Sequence, residues 1–218
     1  DDDVVLIIKT FPNPHNDVDK QIENIKKSNP NMPEIVLINE DLEQEYINYL
    51  YKHCDALVIP SRGEGFGLPM AEAMLFELPV ITTNYSGQVD FCNCENSWLI
   101  DYTFAKANTH LNLFNSYWVE PSFEDLTNIL KVFPSLTKEE ISKKTKIAKE
   151  CVSKKFTWDN YFYNTQEFIE ELKTQKIFDD EKINLAWVSS FNTKCGIATY
   201  SSYLLDKIKE PNIDIKIY

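Results

Sequence analysis

Basic residues are scarce in this 218-residue sequence, in which 22 Lys and Arg stand against 34 Asp and Glu for a formal net charge of −12. A nucleic-acid partner requires a basic face that displaces condensed counterions, so the composition argues against that class and against an anionic membrane surface. No run approaches the roughly 18 apolar residues that cross a bilayer. The acidic start, Asp1–Asp3, has the wrong sign for a secretory signal. We therefore expect no transmembrane segment and a cytoplasmic location, with peripheral contact at the inner membrane face left open for the full-length protein.

The cysteines have neither a disulfide-framework spacing nor a zinc-ligand spacing. Their number is odd, and the one close pair, Cys92 and Cys94, is not a Cys-x-x-Cys. Reduced thiols with structural roles fit this pattern. No metal site is predicted.

Short apolar runs rich in Val and Ile, bounded by polar residues or proline, predict strands that are buried on both faces. Segments of helical period separate them, one after an Asn16/Asp17 cap and one whose apolar face would carry Leu42, Tyr46, Leu50 and His53. Strands that alternate with helices predict βαβ units and a parallel sheet. The predicted strands are Val4–Ile8, Ile35–Ile38, Ala56–Ile59, Val80–Thr82 and Trp98–Ile100.

The pattern changes after residue 101. The segment Tyr102–Pro121 is interpreted as irregular, and only helices are predicted between it and Leu172. Ser122–Asp125 and Thr137–Glu140 resemble capping boxes, in which a hydroxyl and a carboxylate each bind an unpaired N–H group, so two helices should begin there.

Three segments follow from these patterns: a domain over residues 1–174, a polar linker over 175–182, and a second alternation of strand and helix over 183–218. One βαβ unit of that size cannot bury its own apolar faces. The predicted fold class is α/β, with a Rossmann-like parallel sheet flanked by helices and a partial second βαβ unit. The elements predicted for that unit are a strand at Ile183–Val188, a helix at Gly196–Ile208 and a strand at Ile213–Ile217.

Glycine is rare, yet three of the five glycines lie within Gly63–Gly67, between a predicted strand and a predicted helix. Glycine lets a ligand approach the main chain without meeting a Cβ atom, and Pro69 suits the first position of a helix. Unpaired N–H groups and the helix dipole would make this loop an anion site, with phosphate as the expected ligand. A tight turn without a ligand is the alternative. The spacing matches neither a Walker loop nor the Gly-x-Gly-x-x-Gly fingerprint.

Two carboxylates flank the loop: Glu64 lies inside it, and Glu72 follows after seven intervening residues. A carboxylate is repelled by phosphate, so its use is to accept hydrogen bonds from hydroxyls on either side, at roughly 1.5 to 3 kcal/mol each. A sugar nucleotide carries a ribose diol on one side of its diphosphate and hexose hydroxyls on the other. Complementation of the helix dipole is the alternative role for Glu72.

The segment Ser61–Ala73 resembles the donor-site signature of family 4 glycosyltransferases, which have the GT-B fold and carry Glu, seven residues, Glu within Glu-Gly-Phe-Gly-Leu-Pro. Thr83–Gly87 and Trp118–Pro121 are similar to the mannosyltransferase-like branch. The resemblance covers about residues 4–172. It implies that this chain is the C-terminal, donor-binding half of a GT-B enzyme.

The resemblance implies retaining, metal-independent transfer of a hexosyl unit, with mannosyl as one option, from a nucleotide diphosphate sugar such as GDP-mannose or a UDP-sugar. No cofactor is implied, and the acceptor would be a glycan or a lipid-linked glycan bound through a domain outside this chain. Glu64 would be the catalytic residue and bind the hexose, Glu72 would bind the ribose, and Gly67 and Leu68 would present N–H groups to the diphosphate. The other loop positions assigned to the donor site are Gly63, Gly65 and Phe66.

The sequence departs from this family at its start, where an Arg and a Lys usually follow a first strand that this chain lacks. Lys9 and Arg62 are the local cations offered to phosphate, with a solvated surface charge as the alternative for each. The tail Val188–Ser201 resembles the first strand, loop and helix of the acceptor-side domain. We expect a fragment that joins two glycosyltransferase modules and is inactive alone.

Two other functions remain open from the sequence. A sugar-nucleotide epimerase of similar fold would use the same donor contacts, but it needs further acid or base groups that face the hexose. A non-catalytic nucleotide-sugar binding or scaffold module would keep the anion site and tolerate the loss of Glu64.

Overall fold

The computed structural model describes residues 4–14, 16–108, 115–174, 183–188, 196–208 and 213–217. The chain divides into two compact units, Asp1–Lys155 and Phe156–Tyr218. The predicted linker, 175–182, lies outside the described residues, so the predicted domain boundary at residue 174 stays a prediction. The helix that precedes this boundary belongs to the second compact unit.

Two parallel sheets of the first unit are formed by five strands: β1 (Val5–Thr10), β2 (Glu34–Asn39), β3 (Leu57–Ile59), β4 (Val80–Thr83) and β5 (Trp98–Ile100). β1 pairs with β2, while β4 lies between β3 and β5. All of these pairs are parallel, so the predicted α/β class and the five predicted strands are confirmed.

Helices connect and cover these strands. None of those in the described part of the chain is long and apolar enough to cross a membrane. Two short 3-10 helices, Gly87–Asp90 and Phe133–Ser135, lie in the same unit, and the first of them comes after β4. The α-helices of the first unit are α1 (Val18–Ser28), α2 (Gln44–His53), α3 (Leu68–Leu75), α4 (Phe123–Val132) and α5 (Lys138–Lys155).

The segment predicted to be irregular contains an antiparallel strand pair, β6 (Tyr102–Lys106) and β7 (Tyr117–Pro121), so that prediction is wrong. Tyr102 and Phe104 lie on one face of β6, and Val119, opposite Phe104, is fully buried. The aromatic alternation is too short to stand out from the polar residues between the strands, although aromatic residues favour a half-buried sheet.

The prediction that the apolar strands are buried on both faces holds for β4 and fails for β1. Every residue of β4 is buried, because the strand has a neighbour on each side. β1 pairs with one neighbour among the described strands, and its Val5 and Leu6 remain 52% and 47% exposed. Val/Ile content alone therefore does not separate a central strand from an edge strand.

The buried face of α2 is rotated from the predicted one. Tyr46 and His53 are exposed, whereas Ile47 and Tyr51 pack on the core together with Cys54. Two apolar stripes overlap on this helix, both with helical spacing, and tertiary packing selects the second. This rotation matters for the site because it directs Tyr51 towards α3.

The core of the first unit centres on α3, which contributes the fully buried Met70 and Met74. Val80 of β4 and Phe91, which follows the first 3-10 helix, are also fully buried, and α5 packs Ala148 against this cluster. Burying side chains of this size stabilises the fold by about 1.5 to 3 kcal/mol each. The helix that follows the glycine-rich loop is therefore firmly anchored.

The second unit contains the predicted βαβ elements. β8 (Ile183–Trp187) and β9 (Ile213–Ile217) are parallel, and Ile183 pairs with Ile213. The rings of Trp158 and Tyr200 stack at 6.2 Å, and Tyr200 Oη lies 2.5 Å from Tyr161 Oη. Burial, with this bond, raises the pKa of Tyr200 to about 12. The elements are α6 (Trp158–Thr174), β8 (Ile183–Trp187), α7 (Gly196–Lys207) and β9 (Ile213–Ile217).

The two predicted capping boxes differ. At the start of α5, Thr137 N donates to Glu140 Oε2 at 2.8 Å and Glu140 N donates to Thr137 Oγ1 at 3.2 Å. At the start of α4, Ser122 Oγ accepts from Asp125 N at 3.1 Å, while the Asp125 carboxylate accepts from Asp101 N. The α5 box is therefore complete, and the α4 box is a one-sided cap.

We expect Thr137→Ala to lower the free energy of unfolding by about 1 kcal/mol, because an N–H group at the helix start loses its acceptor. Denaturant unfolding followed by circular dichroism measures the change. Ser153→Ala is the matched control, since its exposed hydroxyl lies in the same helix and donates to the helical carbonyl of Glu150. Equal losses in the two variants would contradict the capping role.

Candidate functional site

The glycine-rich loop connects β3 to α3 at the carboxyl end of the three-stranded sheet. Gly67 precedes α3 with a left-handed φ of 94°, which glycine adopts without strain. A Cβ at this position would lie 2.9 Å from Met70 Cε and 3.3 Å from Gln88 Cβ. Pro69 is the second residue of α3, one position later than predicted but still within its first turn. The loop therefore leads directly into the N-terminus of a buried helix.

The carboxylate of Glu64 is held by a neighbour in the same loop. Ser61 Oγ donates to Glu64 Oε1 at 2.6 Å, and both side chains are half-buried. A bond of this length to a carboxylate is charge-assisted. A carboxylate accepts several hydrogen bonds, so this one leaves capacity for a ligand hydroxyl.

The main chain of Glu64 is bound by the turn that follows β4. Ser86 Oγ accepts from Glu64 N at 3.1 Å and donates to Glu64 O at 2.7 Å. Gly87 N donates to the same carbonyl at 3.1 Å. Three hydrogen bonds therefore join this turn to one residue of the loop.

Contact between the loop and this turn is close enough to require glycine on the turn. A Cβ at Gly87 would lie 2.0 Å from Gly65 O and 2.5 Å from Gly65 C. A Cβ at Gly65 would meet no heavy atom of the described residues within 4 Å. The loop is thus packed against the turn on one side and is open at Gly65.

The second carboxylate, Glu72, lies half-buried on α3 and accepts a hydrogen bond from α2. Tyr51 Oη donates to Glu72 Oε2 at 3.1 Å. Burial, and then the charge of Glu72 and its hydrogen bond, raise the pKa of Tyr51 well above its ordinary value. The phenol therefore stays protonated and donates, which fixes one oxygen of Glu72 and leaves the other for a ligand.

Arg62 is engaged with the hairpin rather than standing free in solvent. Its Nε lies 2.9 Å from Glu120 Oε1, its guanidinium lies 4.5 Å from the centre of the Trp118 ring, and its carbonyl accepts from Val119 N at 3.3 Å. A guanidinium has five N–H donors, so this ion pair leaves donors for an anion. The hairpin thereby fixes the start of the loop.

The remaining predicted site residues lie in different surroundings. Lys9 is half-buried on β1, which pairs with β2 and not with the strands beside the loop. The ring of Phe66 packs on Phe91, with ring centres 4.9 Å apart, so its side chain seats the loop on the core. Leu68, the first residue of α3, is exposed. The ligand-binding roles predicted from the sequence stay predictions for all the site residues.

Three bonding partners of Glu64 and Glu72 were missed from the sequence: Ser61 and Tyr51, which donate to the carboxylates, and Ser86, which binds the main chain of Glu64. Ser61 lies three residues before Glu64, a spacing that suits a local hydroxyl-to-carboxylate bond. Tyr51 can be predicted as a partner of Glu72 only when the buried face of α2 is known. Ser86 is 22 residues from Glu64 and no local pattern links them.

A cavity of about 290 Å³ lies elsewhere in the first unit, beside β5 and α4. No charged or titratable side chain lines it, so it offers no group for chemistry on a polar substrate. The loop with its two carboxylates is therefore the candidate site. The cavity is lined by Trp98, Asn128, Ile129, Val132, Phe133 and Leu136.

Comparison with known proteins shows which sequences this chain is similar to. The family model for glycosyl transferases group 1 matches residues 4–107. An uncharacterized glycosyltransferase of Methanocaldococcus jannaschii is 28% identical over 154 residues, which is 70% of this chain and 38% of that protein. The region matched by the family model includes the glycine-rich loop and both carboxylates.

Solved structures share the fold at low sequence identity. The sucrose-phosphate synthase of Thermosynechococcus elongatus matches at TM-score 0.55 and 18% identity, over 80% of this chain and 39% of that one. The Anabaena protein HepE, solved with UDP and glucose, matches at TM-score 0.55 and 17% identity, over 78% and 40%. The C-terminal domain of a group 1 glycosyl transferase from Francisella tularensis, LpcC, matches at TM-score 0.53 and 18% identity, over 71% and 86%.

This chain spans about two fifths of the length of the M. jannaschii relative and of the two longer structures. The shared α/β fold is that of GT-B glycosyltransferases. In sequence and in fold, the chain is therefore similar to group 1 glycosyltransferases.

Proposed function

We propose that the full-length protein transfers a hexosyl unit from a nucleotide diphosphate sugar to a glycan acceptor, and that this chain binds the donor. The observation that carries the proposal is the loop between Glu64 and Glu72, which is clamped on one side, open at Gly65 and continuous with the N-terminus of α3. A diphosphate suits main-chain N–H groups at a helix N-terminus, and carboxylates on either side suit ribose and hexose hydroxyls.

Each site residue has a distinct role in this proposal. Glu64 accepts hydrogen bonds from the donor hexose near the reacting carbon, and Glu72 accepts them from the ribose. The N–H groups of Gly67 and Leu68 bind the diphosphate, because the first N–H groups of a helix have no carbonyl partner within it. Arg62 adds positive charge at the start of the loop.

The proposed reaction is retaining and needs no metal ion. When the glycosidic bond to the nucleotide breaks, negative charge develops on the departing diphosphate. The positive end of the α3 dipole and its N–H groups stabilise that charge without reorganising, as preorganised dipoles do at other sites of developing charge.

The donor type is supported by one of the structural neighbours. HepE was also solved with UDP-glucose, and that structure matches this chain at TM-score 0.51. A UDP-sugar is therefore the first donor to test, and GDP-mannose is the second because of the resemblance to mannosyltransferases.

The rest of the protein is proposed to bind the acceptor, either a glycan or a lipid-linked glycan. A GT-B enzyme closes its cleft with a second domain, and this chain matches only part of the longer glycosyltransferases. Without the opposite wall, the donor lacks orientation and shielding from water. We therefore expect the isolated chain to bind donor without turnover.

Calorimetric titration of the 218-residue chain tests the donor site. We expect saturable binding of UDP or GDP that persists in a chelator, and Glu72→Gln to weaken it about tenfold or more, since a charge-assisted bond to the ribose is lost. Glu77→Gln is the matched control: it makes the same change of charge just beyond the other end of α3, where Glu77 pairs with Lys149 at 2.7 Å.

Three results would count against parts of this proposal. Absence of binding to every nucleoside diphosphate would overturn the proposal, and chelator-sensitive binding would overturn its metal-free part. Equal weakening by both Glu→Gln substitutions would indicate a general charge effect rather than a ribose contact.

A further inference from the structure

Ser86 has a main-chain conformation that side chains rarely adopt. Its φ of 78° and ψ of −159° lie in a region populated almost only by glycine. A glycine would adopt the same conformation without strain. Strained residues persist where the surroundings hold them, and they cluster at functional sites, so the side chain of Ser86 is the place to look for a role.

The hydroxyl of Ser86 makes two hydrogen bonds, both to Glu64. It accepts from the N–H and donates to the carbonyl of that residue, at 3.1 Å and 2.7 Å. A hydroxyl has one hydrogen and two lone pairs, so both bonds can form at once. Ser86 therefore binds the main chain of Glu64 as a strand partner would.

The strained conformation allows two groups to converge on Glu64. It directs the Ser86 hydroxyl and the N–H of Gly87 to the same loop residue, and Gly87 donates to Glu64 O at 3.1 Å. The side chain of Glu64 is held separately by Ser61. The carboxylate is thereby fixed both through its own oxygen and through the main chain that carries it.

We propose that Ser86 is a positioning residue for glycosyl transfer, an inference that rests on the proposed function. Its hydroxyl holds the main chain of Glu64 so that the carboxylate meets the donor hexose in the reactive geometry. Ser86 acts through Glu64 and does not itself touch the donor. A displacement of about 1 Å in such a group costs about 100-fold in rate.

Ser86→Gly in the full-length protein tests this role, because it removes the hydroxyl and the strain together. We expect kcat to fall about 10- to 100-fold, while affinity for the nucleoside diphosphate changes less than about twofold, since the loop N–H groups and Glu72 remain. The melting temperature should not fall, and amide exchange at Glu64 should become faster.

Two further variants sharpen the comparison. Ser86→Ala loses the hydroxyl but keeps the strain, so kcat should fall as in Ser86→Gly while the melting temperature drops. Val89→Ala, an exposed position three residues along the same turn, should leave kcat and Glu64 exchange unchanged.

Three outcomes would overturn the inference. Wild-type kcat in Ser86→Gly would show that the clamp does not position Glu64. A parallel fall in kcat, nucleoside diphosphate affinity and melting temperature would indicate general support of the fold instead. If the wild-type protein transfers from no nucleotide sugar, the proposed function is wrong, and the positioning role is wrong with it. If the wild-type protein is active and the Ser86→Gly variant is equally active, only the positioning role is wrong.

Discussion

Gly87→Ala is expected to lower the free energy of unfolding by about 3 to 5 kcal/mol. The new Cβ would lie 2.0 Å from Gly65 O and 3.0 Å from Glu64 O, and these main-chain atoms cannot rotate away. Relief requires the turn after β4 to withdraw from the loop, which also breaks the N–H bond to Glu64 O. Denaturant unfolding at fixed temperature measures the loss.

Gly65→Ala is the matched control because it adds the same methyl group on the other side of the same contact. Its Cβ would meet no heavy atom of the described part of the chain within 4 Å, and its φ lies outside the left-handed region. The free energy of unfolding should change by less than about 1 kcal/mol, in the stabilising direction. Because this methyl group would enter the open side of the loop, affinity for the nucleoside diphosphate should fall. Equal stability of the two alanine variants would show that the loop does not pack on the turn.

Buried parallel strands are predictable because their side chains must be apolar on both faces. This explains why β3, β4 and β5 were located from runs such as Val80–Thr82, and why the loop between β3 and α3 stood out in a chain with five glycines. A positive φ in this glycine-rich loop was also predictable from local sequence, because glycine adopts it without strain and proline suits the start of a helix.

Elements whose burial depends on distant parts of the chain were not predictable. Tyr46 and Ile47 both belong to apolar stripes on α2, and periodicity does not say which stripe meets α3. In the β6–β7 hairpin, Val119 is fully buried and its N–H donates to the carbonyl of Arg62, far away in the sequence. Local patterns locate such elements only when the partner surface is known.

In the candidate site, too, features set by local spacing were easier to predict than bonds between residues far apart in the sequence. The Glu64 and Glu72 pair was predicted from spacing, whereas the bond from Ser61 was missed although it is local. The bonds from Ser86 and Tyr51 join positions 22 and 21 residues apart. They depend on the order of strands in the sheet and on the rotation of α2, neither of which a single sequence determines.

Glu64→Gln is expected to reduce the rate of glycosyl transfer by the full-length protein by about 100-fold or more. The substitution keeps the size of the side chain and an oxygen that can still accept from Ser61 Oγ, now 2.6 Å from the carboxylate. What it removes is the negative charge, which binds the donor hexose and compensates positive charge at the reacting carbon as the bond to the diphosphate breaks. Initial rates at saturating donor and acceptor measure the effect.

The control separates this role from general electrostatics. Glu95→Gln removes one negative charge at an exposed turn of the same unit and should leave the rate unchanged. In Glu64→Gln, affinity for the nucleoside diphosphate should stay near that of the wild type, since that part of the donor contacts the loop N–H groups and Glu72. Transfer at the wild-type rate with unchanged donor affinity would remove Glu64 from the catalytic machinery and leave this site only a donor-binding role.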